Sequence, residues 1–468
     1  MSSRHFTRRT LRALTFSSAA LLAFGALALP AVGSASTSNN IVYQVTPLAK
    51  PDTSSLAASA LTPGYCVANF GLACYGPAAF HQAYQIPWTI NGVLAGTGQQ
   101  VAIVDAFGSP TVASDLATYD AAFNLPSADL HVYYPDGKPT FGPSLKHGSL
   151  QAGWAEETSL DVQTVHDLAP GARINLIVAS SPNGNDINVA TRYAIDNHLG
   201  DVLSMSFGAP EAAIAGGGNN LQLQQAHANF AQAVAEKIGL FASSGDSGAS
   251  NGYNYANALF PASDPNVTST GGTNLFTPSL NSLTSTDYSY AGETTWNDGD
   301  PATCPFGCPY GAFGATGGAS SSVFAAPSYQ SALGLSARAT SDVSFNASVY
   351  TATLIYLGFL GAGSSGFYFF GGTSEASPAW AAIAADLNQG HGSDLGALNP
   401  TLYSLAANPS TYAQDFHDVT LGNNELPFPG PGSNAGSGYD LPTGLGSPIV
   451  SGLMSSLAPN AMLGFSQP

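Results

Sequence analysis

Two carboxyl groups four residues apart on one helix become a proton-sharing pair when the helix turns them toward a core, and Glu157 and Asp161 have that spacing. They lie in Gly153-Trp-Ala-Glu-Glu-Thr-Ser-Leu-Asp-Val-Gln-Thr-Val-His-Asp-Leu168, where Trp154, Val165 and Leu168 recur at helical spacing and define an inward stripe. Glu157 and Asp161 fall on that stripe. Glu156, Gln163 and Asp167 fall on the outer face, and His166 points roughly opposite the carboxyls, to the surface. An acidic i,i+4 pair is ordinarily a solvated, mildly unfavourable feature. Facing a core, the two cannot both ionise cheaply, so they should titrate as a coupled pair, which marks a candidate acid–base site.

A nucleophile for such a base is available in Gly372-Thr-Ser-Glu-Ala-Ser-Pro378, which follows the strand ending Phe369-Phe370 and opens a helix. At that turn Ser374 presents its hydroxyl beside backbone N–H groups that can receive an oxyanion. The plainer use of such a serine is a helix cap. Asp246 ends another strand, after Phe241-Ala-Ser-Ser-Gly245, where its carboxyl would face the same place. Gly245-Asp-Ser-Gly248 mimics the nucleophile segment of chymotrypsin-like proteases, but the Ala-Ala-His-Cys motif and all-β pattern of those enzymes are missing.

The elements that must position these groups alternate. Strands are predicted at Gln100–Asp105, Arg173–Val178, Val202–Ser206 and Gly239–Ser243. Helices are predicted at Val112–Phe123, Gly153–Leu168, Asp186–Asn197, Leu221–Lys237 and over 373–388. This is the pattern of an α/β, doubly wound, mostly parallel sheet with helices on both faces, whose sites lie beyond the carboxyl ends of its strands. A charge-free run from Val349 to Gly372 has the length of a membrane span, but its glycines and Ser364-Ser365 read better as two core strands of a buried parallel sheet, Tyr350–Leu360 and Gly366–Phe370, joined by a Gly/Ser turn. Residues 262–330 are rich in loops and turns.

Composition narrows the class. The 468 residues are 44% hydrophobic and only 9% charged, too apolar for a disordered chain. Seven Lys and Arg face 29 acidic residues after residue 35, a poor balance for binding nucleic acid or anionic membranes. Few cations also means little repulsion in acid. Arg4, Arg8, Arg9 and Arg12 precede an uncharged stretch from Ala13 to Leu29 and the small residues Gly33-Ser-Ala35. Residues 1–35 therefore read as a secretory signal, with Thr7–Arg12 resembling a twin-arginine motif, and residues 36–64 as a short mobile leader. Residues 65–468 read as a single domain of a secreted, extracellular, soluble and monomeric protein. Cys66/Cys74 and Cys304/Cys308 are expected as two small disulfide loops rather than half of a zinc site.

Ordered motifs over about residues 66–460 carry a resemblance. They include Ala83-Tyr-Gln-Ile-Pro87, Glu157-x-x-x-Asp161-Val-Gln with Ala169-Pro-Gly-Ala172, Ser204-x-Ser-Phe-Gly-x-x-Glu211, Ser244-Gly-Asp-Ser-Gly248, Glu293-Thr-Thr-Trp-Asn297, Phe324-x-x-Pro-x-Tyr-Gln330, Gly372-Thr-Ser374, Asn399-Pro-x-Leu-Tyr403 and Asp418-Val-Thr420. The chain resembles the sedolisin family of serine-carboxyl peptidases. The nucleophile segment and Val101-Ala-Ile-Val-Asp105 also resemble those of subtilisin-like peptidases, whose His-Gly-Thr-His helix is absent.

The resemblance implies a subtilisin-like fold and a secreted, acid-acting endopeptidase on protein or peptide substrates. It implies Ser374 as nucleophile, Glu157 as general base, Asp161 as the carboxyl orienting Glu157, and Asp246 as an oxyanion-hole donor. A carboxylate stays a usable base where histidine is already protonated. The resemblance further implies one structural Ca²⁺ held by Asp418, the Val419, Gly436 and Gly438 carbonyls, and Asp440, an all-oxygen set suited to that ion. The chain departs from the family pattern in its short stretch between signal and catalytic region, in Phe207 where tryptophan is usual, and in Ser341-Asp342 where Pro-Asp is usual. These departures keep open a catalytically latent or binding protein on the same fold, and an ordinary histidine-based subtilisin is disfavoured by the missing helix motif.

Overall fold

The computed structural model describes residues 40–45, 48–51, 57–142, 145–146, 148–303, 314–361, 363–426 and 430–468. The strands used below are, in chain order, β1 (Leu48–Pro51), β2 (Ala73–Tyr75), β3 (Gln100–Ala106), β4 (Asp129–Tyr133), β5 (Arg173–Ala179), β6 (Val202–Met205), β7 (Gly239–Ser243), β8 (Thr268–Phe276), β9 (Gly292–Thr295), β10 (Val343–Asn346), β11 (Thr351–Leu357) and β12 (Gly366–Gly371). The helices are α1 (Val112–Phe123), α2 (Leu150–Leu168), α3 (Gly184–Asp196), α4 (Leu221–Ala235) and α5 (Thr373–His391).

The main sheet has the order β9-β8-β7-β6-β3-β5-β4, with β10 also paired to β8, and every pairing is parallel except β8 with β9. Its strands are apolar on both faces because both faces are covered. On β3, Val101 and Ile103 join a core with Val162 and Val165 of α2 and Trp380 of α5. The alternate residues Ala102 and Val104 join a second core with Ile187 of α3 and Phe230 of α4. After β5 the chain passes to the far side of β3 to make β6, so strand order reverses between β3 and β6. At such a reversal the connections leave in opposite directions and open a crevice at the carboxyl ends.

A second sheet, β1-β12-β11-β2, corrects two expectations. The apolar run lies in a mixed sheet rather than a parallel one: β11 pairs in parallel with β2, but β11 and β12 form an antiparallel hairpin, in register from Thr353 opposite Phe370 to Leu357 opposite Gly366. The Gly/Ser turn between them is too short for the crossover that parallel neighbours need. Nor is the leader loose where it is described. β1 pairs antiparallel with β12, and Ile41 and Tyr43 are buried. No described helix is long and apolar enough to cross a membrane. The Cys66–Cys74 disulfide forms as expected, whereas Cys304 and Cys308 lie outside the described residues, as do the signal-like residues 1–35.

This second sheet also explains why α2 is buried on all sides. Ala152, Ala155 and Leu160 pack on Ile355, Leu357 and Phe370 of the hairpin. Gln163 is locked to β11, donating from Nε2 to the Tyr356 carbonyl at 2.9 Å and accepting from the Tyr356 N–H at 2.8 Å. Glu156, Gln163 and Asp167 therefore do not form the solvated face expected of them, and all three are buried. His166 is likewise no surface residue: its Nε2 lies 2.8 Å from the Pro126 carbonyl and 3.2 Å from Asp120. A helix held between two sheets has no outer face, and polar residues that pair with a second layer look, in sequence, like residues that pair with water.

Candidate active site

Ser374 is the second residue of α5, directly after β12 and the bend at Gly372. Gly372 has φ +120°, and a Cβ there would meet Asp246 Oδ2 at 2.9 Å, so the glycine is what allows this turn to close against Asp246. The Ser374 hydroxyl donates to the Ser206 carbonyl at 3.5 Å, and the Ser206 hydroxyl donates to the Ser374 carbonyl at 3.2 Å. Ser206 follows β6 directly, which ties the nucleophile's turn to the strand beside the reversal point.

Asp246 stands just past the end of β7 and is only half-buried, at the wall of a polar pocket shared with Ser206, Gly208, Ser247, Asn251 and Ser374. Its Oδ1 accepts from the Thr373 N–H and from the Thr373 hydroxyl, both at 2.7 Å. The Thr373 hydroxyl in turn accepts from the Gly245 N–H at 3.1 Å. Desolvation pushes the Asp246 carboxyl up to about 6, against the pull of these two donors. With Oδ1 occupied, Oδ2 is the oxygen left to carry a proton.

α2 delivers Glu157 and Asp161, and β3 delivers Asp105. All three are fully buried, and no oxygen of any of them has a hydrogen-bond partner in the described structure. Burial raises Glu157 well above the usual range, and Asp105, Asp246 and Glu156 push it further, while the nearby Ser374 hydroxyl favours the ionised form. Burial raises Asp161 in the same way, with Asp105 and Glu157 adding to it and the Ser206 hydroxyl opposing. Asp105 is pushed up to about 7 by burial, with Thr158 opposing. The groups acting on this trio are carboxyls and hydroxyls, so it holds protons where a cation would otherwise be needed.

The four residues singled out for chemistry are thus brought to one crevice. Two further carboxyls belong with them. Asp105 was noted only for its strand's resemblance to the aspartate strand of subtilisins, although a carboxyl near the end of a buried strand at the sheet's centre is itself a signal. Asp298, 7% exposed, accepts from the Ser348 hydroxyl at 2.6 Å, and burial pushes it up to about 7, with a small further push from Asp246. Nothing in its local sequence marks it, because its place depends on the loop after β9 folding back on the start of β11.

Away from this crevice, the segment 436–440 folds onto Asp418. The Gly438 N–H donates to Asp418 Oδ1 at 3.1 Å, and the Gly436 N–H donates to Asp440 Oδ2 at 2.9 Å. No group of three or more His, Cys, Asp or Glu that could hold a metal occurs among the described residues. Any ion there would rest on these two carboxylates and on backbone carbonyls such as those of Val419, Gly436 and Gly438. All four carboxylate oxygens have protein donors, the Tyr412 and Ser437 hydroxyls and the Gly438 N–H on Asp418 and the Gly436 N–H with the Thr443 N–H and hydroxyl on Asp440, and a cation bound there would take the place of some of them.

The sequence matches the Subtilase family over residues 96–410. Kumamolisin of Bacillus sp. (strain MN-32) is 32% identical over 402 residues, covering 83% of this chain and 64% of its own length. Sedolisin of Pseudomonas sp. (strain 101) is 30% identical over 407 residues, covering 82% of this chain and 62% of its own. The chain belongs to the subtilase family, in its sedolisin group. A solved structure of Pseudomonas sedolisin, a serine-carboxyl proteinase complexed with two molecules of pseudo-iodotyrostatin, superposes with a TM-score of 0.68 at 27% identity, covering 83% of this chain and 99% of that one. The chain spans slightly less than two thirds of the length of the curated relatives.

Proposed function

We propose that this protein is a secreted serine-carboxyl endopeptidase that cleaves protein and peptide substrates in acid. The observation that carries the reading is the meeting of Ser374, at a helix N-terminus, with buried carboxyls that no cation neutralises. In this reading the Ser374 hydroxyl oxygen attacks the peptide carbonyl carbon and its proton passes to Glu157, with Asp161 and Asp105 behind Glu157 to orient it and share its proton. The oxyanion accepts from the Ser374 N–H and from a protonated Asp246 Oδ2. Glu157 then protonates the departing amine, and a water molecule repeats the sequence on the acyl-enzyme. Asp246 must be protonated, which confines the working state to pH below about 6, and Glu157 must give up its proton there, which the Ser374 hydroxyl favours and burial opposes. Hydrolysis of a denatured protein followed from about pH 2.5 to 8 tests this, with activity restricted to the acid side and lost in Ser374→Ala and Glu157→Gln as the expected outcome. A maximum near pH 8 would overturn it.

Asp418 and Asp440, with the Val419, Gly436 and Gly438 carbonyls, would hold one Ca²⁺ in a structural role, joining the segment that follows the short strand at 416–417 to the loop at 436–440. Chelation should lower Tm by several degrees and added Ca²⁺ should restore it, in Ser374→Ala as well as in the unmodified protein.

A further inference from the structure

Asp298 takes no part in the steps above, yet hydrogen bonds run from it in two directions and both end at the oxyanion side of the crevice. Its N–H donates to the Gly314 carbonyl at 2.9 Å, and the next N–H along, that of Ala315, donates to the Asp246 carbonyl at 3.1 Å. Ala315 is bridged to Ser247 on one side and to Asn297 on the other, so this one residue joins the segment carrying Asp246 to the segment carrying Asp298. Gly314 is wedged at the join: a Cβ on it would meet the Asp246 carbonyl and the Trp296 ring, both at 2.8 Å.

The side chain of Asp298 reaches the other way. Its Oδ1 accepts from the Ser348 hydroxyl at 2.6 Å, and the Ser348 oxygen accepts in turn from the Tyr350 N–H at 3.0 Å. Ser348 lies where the chain crosses from the main sheet, at the end of β10, to the second sheet, at the start of β11. Trp296 packs there with Ala347 and Val349, the two neighbours of Ser348, so the link is dry. The Ala347 carbonyl accepts from the Gly372 N–H at 2.5 Å, at the bend before the nucleophile. One residue on, the Thr373 N–H and hydroxyl both donate to Asp246 Oδ1. The links therefore close into a ring, from Asp246 through Thr373 and the Gly372 bend to Ser348, and from Asp298 through Gly314 and Ala315 back to Asp246.

We propose that Asp298 is a positioning residue of the oxyanion hole, a brace that sets the spacing between Asp246 and the Ser374 turn. This rests on the peptidase reading above and deepens it. The two donors of the hole come from different sheets, since Asp246 follows β7 of the main sheet and Ser374 follows β12 of the second. No shared strand or helix fixes their separation. The contact between Asp246 and Thr373 is a single pivot, and the Asp298 link gives the two loops a second point of attachment. Spacing matters because both donors must meet an oxygen whose charge develops only in the transition state, and a misplacement of about 1 Å can cost about 10²-fold.

The test compares Asp298→Ala and Ser348→Ala, which cut the side-chain link from either end, with Asp298→Asn, which keeps an oxygen for Ser348. Burial raises the native carboxyl to about 7, so in acid it is neutral and asparagine is a fair replacement. With an internally quenched peptide at about pH 4, each alanine variant should lose at least about tenfold in kcat, counted per Ser374 labelled by a fluorophosphonate, with KM within about twofold of the unmodified protein. A peptide aldehyde, whose adduct with Ser374 places its oxygen in the hole, should bind both variants more weakly by about the same factor. Asp298→Asn should stay within about threefold of the unmodified protein in both measures. A residue serving stability alone would lower Tm and leave kcat per labelled serine and aldehyde affinity unchanged, and that result would overturn the proposal. A loss that falls on KM alone, or that asparagine does not repair, would overturn it too. If Asp298→Ala fails to fold, Ser348→Ala decides the matter. Failure of the unmodified protein both to hydrolyse and to label at Ser374 would overturn the peptidase reading itself.

Discussion

The protein buries acidic groups in two ways, and the contrast separates what holds the fold from what does work. Asp342, next to β10, is fully buried against the equally buried Arg338, whose Nη1 reaches Oδ1 at 2.7 Å and whose Nη2 pairs with Oδ2. Tyr403 donates to Oδ1 at 2.8 Å, and the Ser269 N–H and Asn399 donate to Oδ2 at 2.8 and 3.1 Å. Every lone pair there has an assigned donor. The trio of Asp105, Glu157 and Asp161 is buried as deeply, and among the described residues no cation faces it and only the hydroxyls of Thr158, Ser374 and Ser206 favour its ionised forms. An unsatisfied buried carboxyl costs about 1–3 kcal/mol or more, and Asp386, buried with neither oxygen bonded, shows that one can stand alone in this core; what sets the trio apart is that three such groups act on one another beside the Ser374 hydroxyl. The satisfied site is structural, and the other is the one proposed above to exchange protons with Ser374 and a substrate.

Matched substitutions should break the two sites in opposite ways. Glu157→Gln should lower kcat/KM by about 10⁴-fold, on the scale of losing a member of a nucleophile–base pair, with little loss of stability, since an amide replaces a carboxyl that is already driven toward its neutral form. Ser374→Ala should match it. Asp342→Asn should leave Arg338 buried without its partner and cost about 3–5 kcal/mol in urea unfolding, with kcat unchanged in the fraction that folds. If Glu157→Gln instead cost several kcal/mol in urea unfolding and left kcat/KM of the folded fraction unchanged, the distinction between the two regions would collapse.

Much of this contrast was legible in the sequence. Ser374, Glu157, Asp161 and Asp246 could be picked out because each sits at an element boundary or on a periodic stripe, and the crevice brings all four together. The parallel sheet was legible because apolar strands alternate with helices at fixed spacing. The second sheet was not, since the run from Val349 to Gly372 looks alike in either sheet until its pairing is known. That one omission propagated: without the hairpin over α2, the buried Gln163 read as solvent-facing, and His166 did so because nothing local showed that Asp120 and Pro126 would cover it. Asp298 was invisible for a different reason, because its partner Ser348 is 50 residues away and no local pattern joins them. Tyr43 was misplaced in a mobile leader because Ser/Thr/Ala-rich composition predicts looseness and says nothing of a groove elsewhere in the chain that fits a strand.

Asp246 lies between the two extremes, half-open and half-satisfied, and a smaller effect should show it. In Asp246→Asn the side-chain oxygen can still accept from Thr373 while the amide donates where Oδ2 did, now without needing a proton. The maximal rate should fall by about 10²-fold, the cost of weakening one oxyanion donor. The descending limb of the pH–rate profile, which the carboxyl at about 6 sets in the unmodified protein, should move to higher pH. An unshifted limb would assign that ionisation to another group of the cluster.

The smallest expected effect concerns stability alone, and its sign follows from the burial of these carboxyls. Asp105 and Asp298 are raised to about 7 and Asp246 to about 6 in the folded chain, against an ordinary value near 4 when unfolded. Between those limits the folded state binds more protons than the unfolded, so stability contributed by these groups is complete below about pH 4 and drains away as pH rises toward 7. Glu157, Asp161, Asp167, Glu375 and Asp386, all raised by burial, act in the same direction. His227, raised chiefly by its hydrogen bond to Asp264, does as well. His81 and His417 oppose them, since burial lowers each to about 4 and the unfolded state then binds their protons first as pH falls below about 6.5. The acids outnumber these two histidines, so Tm in thermal unfolding of Ser374→Ala should be several degrees higher at about pH 4 than at about pH 7. Asp105→Asn should flatten part of that slope, whereas Asp342→Asn should lower Tm at every pH and leave the acid-side advantage in place. A Tm that rose toward neutrality would mean that the carboxyl trio is ionised and solvated in solution, and the unneutralised cluster would no longer be what distinguishes the crevice from the rest of the core.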